Sequence, residues 1–325
     1  MLTVLLATKD RALVLREVLE SYCALQPPES GWKLVVVDNG STDNTPDVLA
    51  AFSSRLPLTS LREPKPGKNA ALNAGLEVAE GDLVVLTDDD AFPAQDWLVQ
   101  LRKSADQQPE YSIFGGAVVP RWELPPPAWV HWIAAGPVFT LTESSLPAGP
   151  MDPSDVFGPN MAVRNSIFQA GTRFDKRIGP SGSSYAMGSE TELVLRLASH
   201  GHKAWYVKSA VVEHYIRKEQ LATDWVWQRA VRFGRGQYRL FGRHHYFDAA
   251  KWRGVPLRLV RRTLKQSVMV AFASVFARKE SLFRARWRWN VFRGEIMEAR
   301  NLAVNNGHIG SRLRADRSAN HSNEL

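Results

Sequence analysis

Three consecutive aspartates, Asp88, Asp89 and Asp90, are the densest cluster of chemically reactive side chains in this 325-residue sequence. They follow the apolar run LVVL and Thr87, which predicts that the cluster stands at the end of a buried strand rather than in a solvated turn. Carboxylates this close repel one another unless a cation lies between them. Oxygen ligands of this kind suit Mg²⁺ or Mn²⁺ with a bound diphosphate, so the cluster favours a metal and phosphate site.

Other carboxylates and one histidine stand at comparable places. Asp38 ends the run KLVVVD, where it either holds a ribose or base edge or caps the following turn. Glu190 and Glu192 begin a predicted helix, where a carboxylate serves as a general base or only interacts with the helix dipole. His214 ends the run WYVKSAVVEH and is either a metal ligand or a hydrogen-bonded structural residue.

A glycine and a lysine precede another predicted helix within PKPGKNAALNAG, residues 64–75. Gly67 permits a close approach of the backbone to a ligand, and Lys68 would stand at a helix N-terminus that faces an anion. The sequence contains no GxxxxGK[ST] pattern, so this segment is not a P-loop.

These residues require a sheet that brings strand ends together. Apolar runs alternate with helical patterns, which predicts an α/β fold with a mostly parallel, doubly wound sheet and ligands at the carboxyl ends of its strands. The predicted strands are 2–8, 33–39, 82–88, 112–119 and 205–214. The predicted helices are 13–25, 68–79 and 190–199, and a further helix is capped at 41–43 and ends at 52. Residues 120–153, rich in Pro and Trp, are predicted to be an irregular loop over the site.

Charge divides the chain. Residues 1–214 hold 18 Lys and Arg against 25 Asp and Glu, a net −7, whereas residues 215–325 hold 23 against 8, a net +15. We expect a catalytic domain over 1–215, a basic, aromatic helical extension over 216–300 and a disordered tail over 301–325. Arginine mixed with tryptophan on helices favours an anionic membrane surface, although these aromatics could instead pack the helices on the catalytic domain. No nucleic-acid motif accompanies the charge, so no nucleic-acid partner is expected.

No membrane span is predicted. The N-terminal apolar run is short and lacks a basic region, and the longest later run, 267–277, is about half the roughly 20 residues that a span needs. The single cysteine, Cys23, favours a reducing compartment. We therefore expect a cytoplasmic protein, peripheral on the inner face of the cytoplasmic membrane.

In series, the motifs resemble the family 2 glycosyltransferases of the GT-A fold, specifically the bacterial, non-processive members. The resemblance covers about residues 1–215 and rests on the order VVVDNGSTD (35–43), GKNAALNAG (67–75), the aspartate triplet, GPNMAVR (158–164), GSETEL (188–193) and His214. Processive members carry Gln-x-x-Arg-Trp, whereas this chain reads QRAVRF from Gln228. The resemblance therefore implies one sugar transferred per encounter.

The resemblance also implies a role for each candidate residue. The donor would be a nucleotide-diphosphate sugar, with a UDP-sugar favoured, and the cofactor Mn²⁺ or Mg²⁺. The residues expected to bind the nucleotide sugar are Thr8, Arg11, Asp38, Lys68, Asn73, Asp88 and Asp89. Asp90 and His214 would bind the metal, and Asn160 and Glu192 would lie on the acceptor side.

The family's catalytic base is usually the Asp of a Glu-Asp pair, and here that position reads Ser189-Glu190. Glu190 is the expected base and Glu192 its rival. A carboxylate that takes the proton of an attacking hydroxyl permits one direct displacement, which inverts the anomeric configuration. The acceptor would be a saccharide or a lipid-linked saccharide in surface polysaccharide or glycoconjugate synthesis.

Three other classes fit less well. A nucleotidyltransferase commonly has a Gly-rich loop after its first strand, but TKDRALV contains no glycine. An inactive glycosyltransferase fold that only binds partners would not need Asp88, Asp90 and Glu190 together. A Rossmann dehydrogenase lacks support because no GxGxxG follows a predicted strand.

Overall fold

The apolar runs at the N-terminus form neighbouring parallel strands in the computed structural model, which describes residues 1–133, 135–142, 145–182 and 185–321. The described residues group into two units that divide between Ala222 and Thr223. The boundary predicted from the sequence lies close to this point, at residue 215.

One sheet runs through the first unit. Its strands, in chain order, are β1 (Leu2–Thr8), β2 (Trp32–Asp38), β3 (Leu58–Arg62), β4 (Leu83–Leu86), β5 (Ala91–Pro93), β6 (Ile113–Trp122), β7 (Gly149–Met151), β8 (Met161–Arg164) and β9 (Ala204–Ile216). Among the described residues the order across the sheet is β3-β2-β1-β4-β8-β6-β9-β5, and β7 also pairs with β9. Strands β3, β2, β1 and β4 are parallel, whereas β8 runs antiparallel to β4 and to β6. The predicted mostly parallel α/β sheet is confirmed.

Helices flank this sheet. They are α1 (Ala12–Cys23), α2 (Thr45–Phe52), α3 (Lys68–Leu76), α4 (Trp97–Gln107), α5 (Ala135–Phe139), α6 (Asn165–Gln169) and α7 (Ser189–Ser199). Leu5, Val37, Val84 and Leu193 belong to the buried core that the sheet shares with α3 and α7. Burial on both faces explains why β1, β2 and β4 are continuous apolar runs.

The predicted loop over 120–153 is a partial error. Strand β6 continues to Trp122, a 3₁₀ turn covers Ala128–Trp132, and α5 and β7 follow within the segment. Residues 134, 143 and 144 lie outside the described residues. Strand β3 and helix α4 were not predicted: no residue of β3 is fully buried, and α4 has only four buried residues, Trp97, Leu98, Leu101 and Ala105.

Asn160 joins α4 to the centre of the sheet. Its side chain is completely buried: Oδ1 accepts from Trp97 Nε1 at 2.9 Å, and Nδ2 donates to the carbonyls of Ala117 and Ala210 at 2.9 and 2.8 Å. A Cβ on Gly116 would overlap this amide. These three partners give the buried Asn160 amide a structural role, and its predicted position on the acceptor side stays a prediction.

The second unit is mainly helical. It contains α8 (Thr223–His245), a small hairpin of β10 (Lys251–Trp252) and β11 (Val255–Pro256), α9 (Leu257–Phe276) and α10 (Lys279–His321). Helix α10 packs along α8 and α9, and the buried Glu298 forms ion pairs with Arg235 and Arg239 of α8. Helix α10 continues past Asn301, where composition predicts disorder, and residues 322–325 lie outside the described residues. None of the helices in the described part of the chain is both long and apolar enough to cross a bilayer.

We predict that Asn160→Leu lowers the free energy of unfolding by about 2 kcal/mol or more, because it leaves the buried Trp97 N–H and two buried carbonyls without partners. Urea denaturation measures this difference. Asn44→Leu is the matched control, since Asn44 is exposed and makes no side-chain capping bond, and we expect a change within about 0.5 kcal/mol. Equal unfolding midpoints for the two variants would contradict the structural role of Asn160.

Candidate active site

Polar side chains from three strand ends meet at one edge of the parallel sheet. Thr8 and Asp38 are register partners at the ends of β1 and β2, and the aspartate triplet follows β4, which lies on the other side of β1. Thr8 Oγ1 donates to Asp89 Oδ2 at 2.7 Å, and both side chains are buried. The structure therefore brings together residues that the sequence places 81 positions apart.

Asp90 lies among three basic side chains. Its Oδ2 is 3.1 Å from Arg11 Nη1 and 3.6 Å from Arg217 Nη1, and its Oδ1 is 3.4 Å from His214 Nε2. Burial alone would raise the pKa of Asp90, but His214, Arg11 and Arg217 lower it well below its ordinary value. Asp90 is therefore held as a carboxylate.

Arg217 was missed by the sequence analysis. It follows His214 by three residues, just beyond the end of β9, whose antiparallel pairing with β5 sets Ala91 opposite His214. The signal that could have identified Arg217 is its position three residues after His214, a candidate metal ligand.

The tautomer of His214 can be assigned from its contacts. Its Nδ1 lies 2.7 Å from the carbonyl oxygen of Phe139, and because a carbonyl only accepts, Nδ1 carries a proton. In the neutral ring, the Nε2 lone pair would then face the Asp90 carboxylate. Two such acceptors need a cation between them, either a proton on Nε2 or a metal ion. Burial lowers the pKa of His214, but the Asp90 carboxylate raises it above the ordinary value, which favours a proton on Nε2 when no metal ion is bound.

The residues present fit a metal ion that takes two protein ligands. Within the described ranges, no group of three or more His, Cys, Asp or Glu side chains is arranged to hold a metal ion. Asp90 and His214 form the pair that suits one, while Asp88 and Asp89 are turned to Lys68 and Thr8. Mg²⁺ often uses one or two carboxylates and completes its shell with phosphate oxygens and water.

Lys68 joins the aspartate cluster to Glu190. Its Nζ lies 2.5 Å from Asp88 Oδ1 and 2.7 Å from Glu190 Oε1, and Ser189 Oγ donates to Glu190 Oε2 at 2.6 Å. Burial alone would raise the pKa of Glu190, but the Lys68 ammonium and the Ser189 hydroxyl lower it below its ordinary value. Burial lowers the pKa of Lys68, and the two carboxylates raise it by more, so Lys68 remains charged.

Glycines make the approach of Lys68 and Glu190 possible. Gly67 (φ 124°) precedes α3 and Gly188 (φ 102°) precedes α7, both with backbone conformations that a residue with a Cβ rarely adopts. A Cβ on Gly158 would lie 2.8 Å from the Glu190 side chain, so this glycine leaves the space that the carboxylate occupies.

Asn39 holds the segment that leads to Lys68. Its Oδ1 accepts from the backbone of Gly67 at 2.8 Å, and its Nδ2 donates to the carbonyls of Glu63 and Lys65. This role of Asn39 was not predicted, although Asn39 directly follows the candidate Asp38.

Glu192 makes a different contact. Both of its carboxylate oxygens accept from Arg196, one turn along α7, at 2.8 and 3.0 Å. Of the two glutamates, Glu190 is the one that Lys68 connects to the aspartates. The acceptor-side position of Glu192 stays a prediction.

Two further donor-side candidates have local partners. The amide of Asn73 is buried and makes two bonds with the backbone of Phe174, at 2.9 and 2.8 Å. These bonds give it a structural role, and its contact with a base or ribose stays a prediction. Asp38 Oδ1 accepts from the backbone of Ser41 at 2.8 Å, which is the turn-capping alternative. This bond uses one carboxylate oxygen, and the nucleotide contact of Asp38 remains a prediction.

Comparison of sequences matches residues 3–170 to Glycosyl transferase family 2. The glucosyl-dolichyl phosphate glucuronosyltransferase of Haloferax volcanii is 24% identical over 47% of this chain and 49% of its own length. The probable glycosyltransferase YdaM of Bacillus subtilis is 23% identical over 72% of this chain and 54% of its own length. This chain therefore spans about half the length of these two relatives.

Comparison of structures identifies the same fold in the mannosyltransferase PcManGT from Pyrobaculum calidifontis, solved in complex with GDP-Man and Mn²⁺. The TM-score is 0.58 at 20% sequence identity, with 93% of this chain and 86% of that chain covered. The sequence match, which spans more than half of the chain, includes the three strand ends that carry Thr8, Asp38 and the aspartate triplet. The chain belongs to glycosyl transferase family 2 and has a GT-A-type fold.

Proposed function

We propose that this protein is an inverting glycosyltransferase that uses a divalent metal ion. It moves one sugar from a nucleotide-diphosphate sugar to a hydroxyl of a saccharide or lipid-linked acceptor. The observation that carries the proposal is the contact of Lys68 with both Asp88 and Glu190, which holds a carboxylate base next to the aspartates expected to bind the donor.

The donor side combines acidic and basic groups. Thr8, Asp38 and Asp88 would face the nucleoside, while Arg11 and Arg217 lie where a diphosphate would need positive charge. A UDP-sugar is the favoured donor from the family resemblance, and GDP-mannose is the alternative suggested by the ligand of the Pyrobaculum protein.

Asp90 and His214 are the residues that would hold the metal, whose chemistry is to neutralise the charge that develops on the departing diphosphate. The bond between His214 Nδ1 and the Phe139 carbonyl orients the ring so that Nε2 faces Asp90. Arg11 and Arg217 add fixed positive charge at the same place.

Glu190 is the proposed base. Because Lys68 and Ser189 lower its pKa, it is ionised at neutral pH and can accept the proton of an acceptor hydroxyl. The hydroxyl oxygen then bonds to the anomeric carbon as the bond to the diphosphate breaks. A single displacement of this kind inverts the anomeric configuration.

A lipid-linked acceptor is supported by one relative. The Haloferax protein carries glucosyl-dolichyl phosphate in its name, and it aligns with this chain over 157 residues. A membrane-bound acceptor also agrees with the net +15 charge of residues 215–325.

We predict that Glu190→Gln lowers the transfer rate by about 10²- to 10⁴-fold and leaves donor binding nearly unchanged, because the amide keeps the shape but cannot accept the proton. Turnover is measured with the donor and acceptor pair that a substrate screen identifies, and donor affinity by calorimetry. Glu192→Gln is the matched control and should retain kcat, because Glu192 is bonded to Arg196 rather than to Lys68, while an acceptor-side role would change only KM. The reverse outcome, loss in Glu192→Gln alone, would assign the base to Glu192.

We predict that Mn²⁺ tightens the binding of UDP or GDP to the wild-type protein and that Asp90→Asn removes this difference, because the amide is a poorer metal ligand than the carboxylate. Calorimetry with and without Mn²⁺ measures both affinities. Asp106→Asn, an exposed aspartate on α4, is the control and should behave as the wild type. Equal nucleotide binding by the wild type in both conditions would argue against metal dependence.

We predict that Lys68→Met moves the acidic limb of the kcat/KM profile to higher pH. In the wild type, Lys68 lowers the pKa of Glu190, so activity persists below the usual titration range of a glutamate. Without the ammonium, burial dominates, the pKa rises and the base is protonated at a higher pH. Lys65→Met, at a neighbouring exposed lysine, should leave the limb in place. Superimposable limbs for Lys68→Met and the wild type would refute the role of Lys68.

A further inference from the structure

Helix α9 exposes a row of large apolar side chains. Five of them are between 63% and 73% exposed: Leu264, Val268, Phe272, Val275 and Phe276. Their spacing of three to four residues places them on one face of the helix, and the rings of Phe272 and Phe276 are 4.9 Å apart. We call this row the α9 face.

The opposite side of the same helix is buried within the second unit. Leu259, Gln266 and Ala273 are spaced by seven residues and are buried, and α9 packs against α10. The α9 face is therefore not required for the packing of this unit. A contiguous apolar surface of this kind usually marks a site of interaction with a protein or a membrane.

Charge on the helix selects the partner. The sequence of α9 contains four basic residues and no acidic one, and Arg258, Arg261 and Lys265 are exposed near the apolar row. Arg278 and Lys279 follow at its C-terminal end. A second copy of this chain would bring the same cations together, whereas an anionic surface would attract them.

The helix is suited to lie on a bilayer rather than to cross it. Its 20 residues are long enough to cross a bilayer, but its four charged residues make it too polar to do so. None of the described helices is both long and apolar enough. A helix with an apolar face and flanking Lys or Arg lies in the membrane interface, with its apolar side chains about 5–10 Å into the boundary of headgroups and acyl chains.

We infer that the α9 face docks this protein on an anionic lipid bilayer. The apolar row enters the interface, and Arg258, Arg261 and Lys265 contact the headgroups. This inference deepens the proposed function, because it states where a lipid-linked acceptor would be met. Membrane binding is measured without sugar transfer, so either proposal can fail while the other stands.

The test is co-sedimentation of the full chain with vesicles of phosphatidylglycerol and phosphatidylcholine, and with vesicles of phosphatidylcholine alone. We expect binding to the anionic vesicles that weakens as salt is raised. The double variant Val268→Ser with Phe272→Ser should lower the partition coefficient at least about tenfold. The reason is that it removes two apolar side chains that would be transferred from water into the membrane interface. Arg261→Gln with Lys265→Gln should lower it about tenfold at low salt only.

Leu13→Ser is the matched control, since Leu13 is an equally prominent exposed leucine on α1 of the first unit, and its binding should equal that of the wild type. Circular dichroism of each variant checks that the helices remain folded. Wild-type protein that stays in the supernatant with anionic vesicles at low salt would overturn the inference. Undiminished vesicle binding by the serine double variant would also overturn it. A third contrary result would be a wild-type dimer, seen by sedimentation velocity, that does not bind vesicles and that the serine double variant dissociates.

Discussion

Repulsion among three adjacent carboxylates at the end of β4 determines much of the structure around the site. Each aspartate has a different partner: Asp88 contacts Lys68, Asp89 accepts from Thr8, and Asp90 lies beside His214 and two arginines. These partners come from the ends of β1 and β9 and from the start of α3. The electrostatic requirement of three residues thus links elements that are distant in sequence.

The partners make neighbouring aspartates unlike. Burial and the charge of Asp90 raise the pKa of Asp89 to about 6, whereas the basic groups around Asp90 lower its pKa. Asp90, which lies next to the histidine nitrogen, is therefore the more strongly ionised of the two. The raised pKa of Asp89 reflects its burial and the like charge beside it. Adjacent aspartates at one strand end thus differ in their affinity for a proton because their partners differ.

The sequence predicted the strand ends well because each is an apolar run followed by a polar residue, and such a pattern is local. It named Glu190 as the expected base with Glu192 as a rival, but it could not give the contacts of either residue. Residues two apart on a helix point to different sides, and the packing of Leu193 and Leu197 sets the rotation of α7. Arg217 was missed because its contact with Asp90 depends on the pairing of β9 with the three-residue β5.

Asparagines were the least predictable residue type. Asn73 and Asn160 lie in motifs that resemble ligand-binding segments, yet both amides bond to backbone or to Trp97 inside the protein. An amide that satisfies buried backbone groups and one that binds a ligand require the same residue type. Only the burial and the partners of the amide separate the two uses, and neither can be read from a single sequence.

The separation of charge along the chain has a consequence for how the proposed enzyme would meet its two substrates. An anionic surface attracts residues 215–325, with net charge +15, and repels residues 1–214, with net charge −7. The attraction would therefore act on the unit that carries the α9 face. The acidic unit with the aspartates would remain available to water, from which a nucleotide sugar arrives. A lipid-linked acceptor and a water-soluble donor place opposite demands on a protein surface, and this charge distribution satisfies each demand with a different part of the chain.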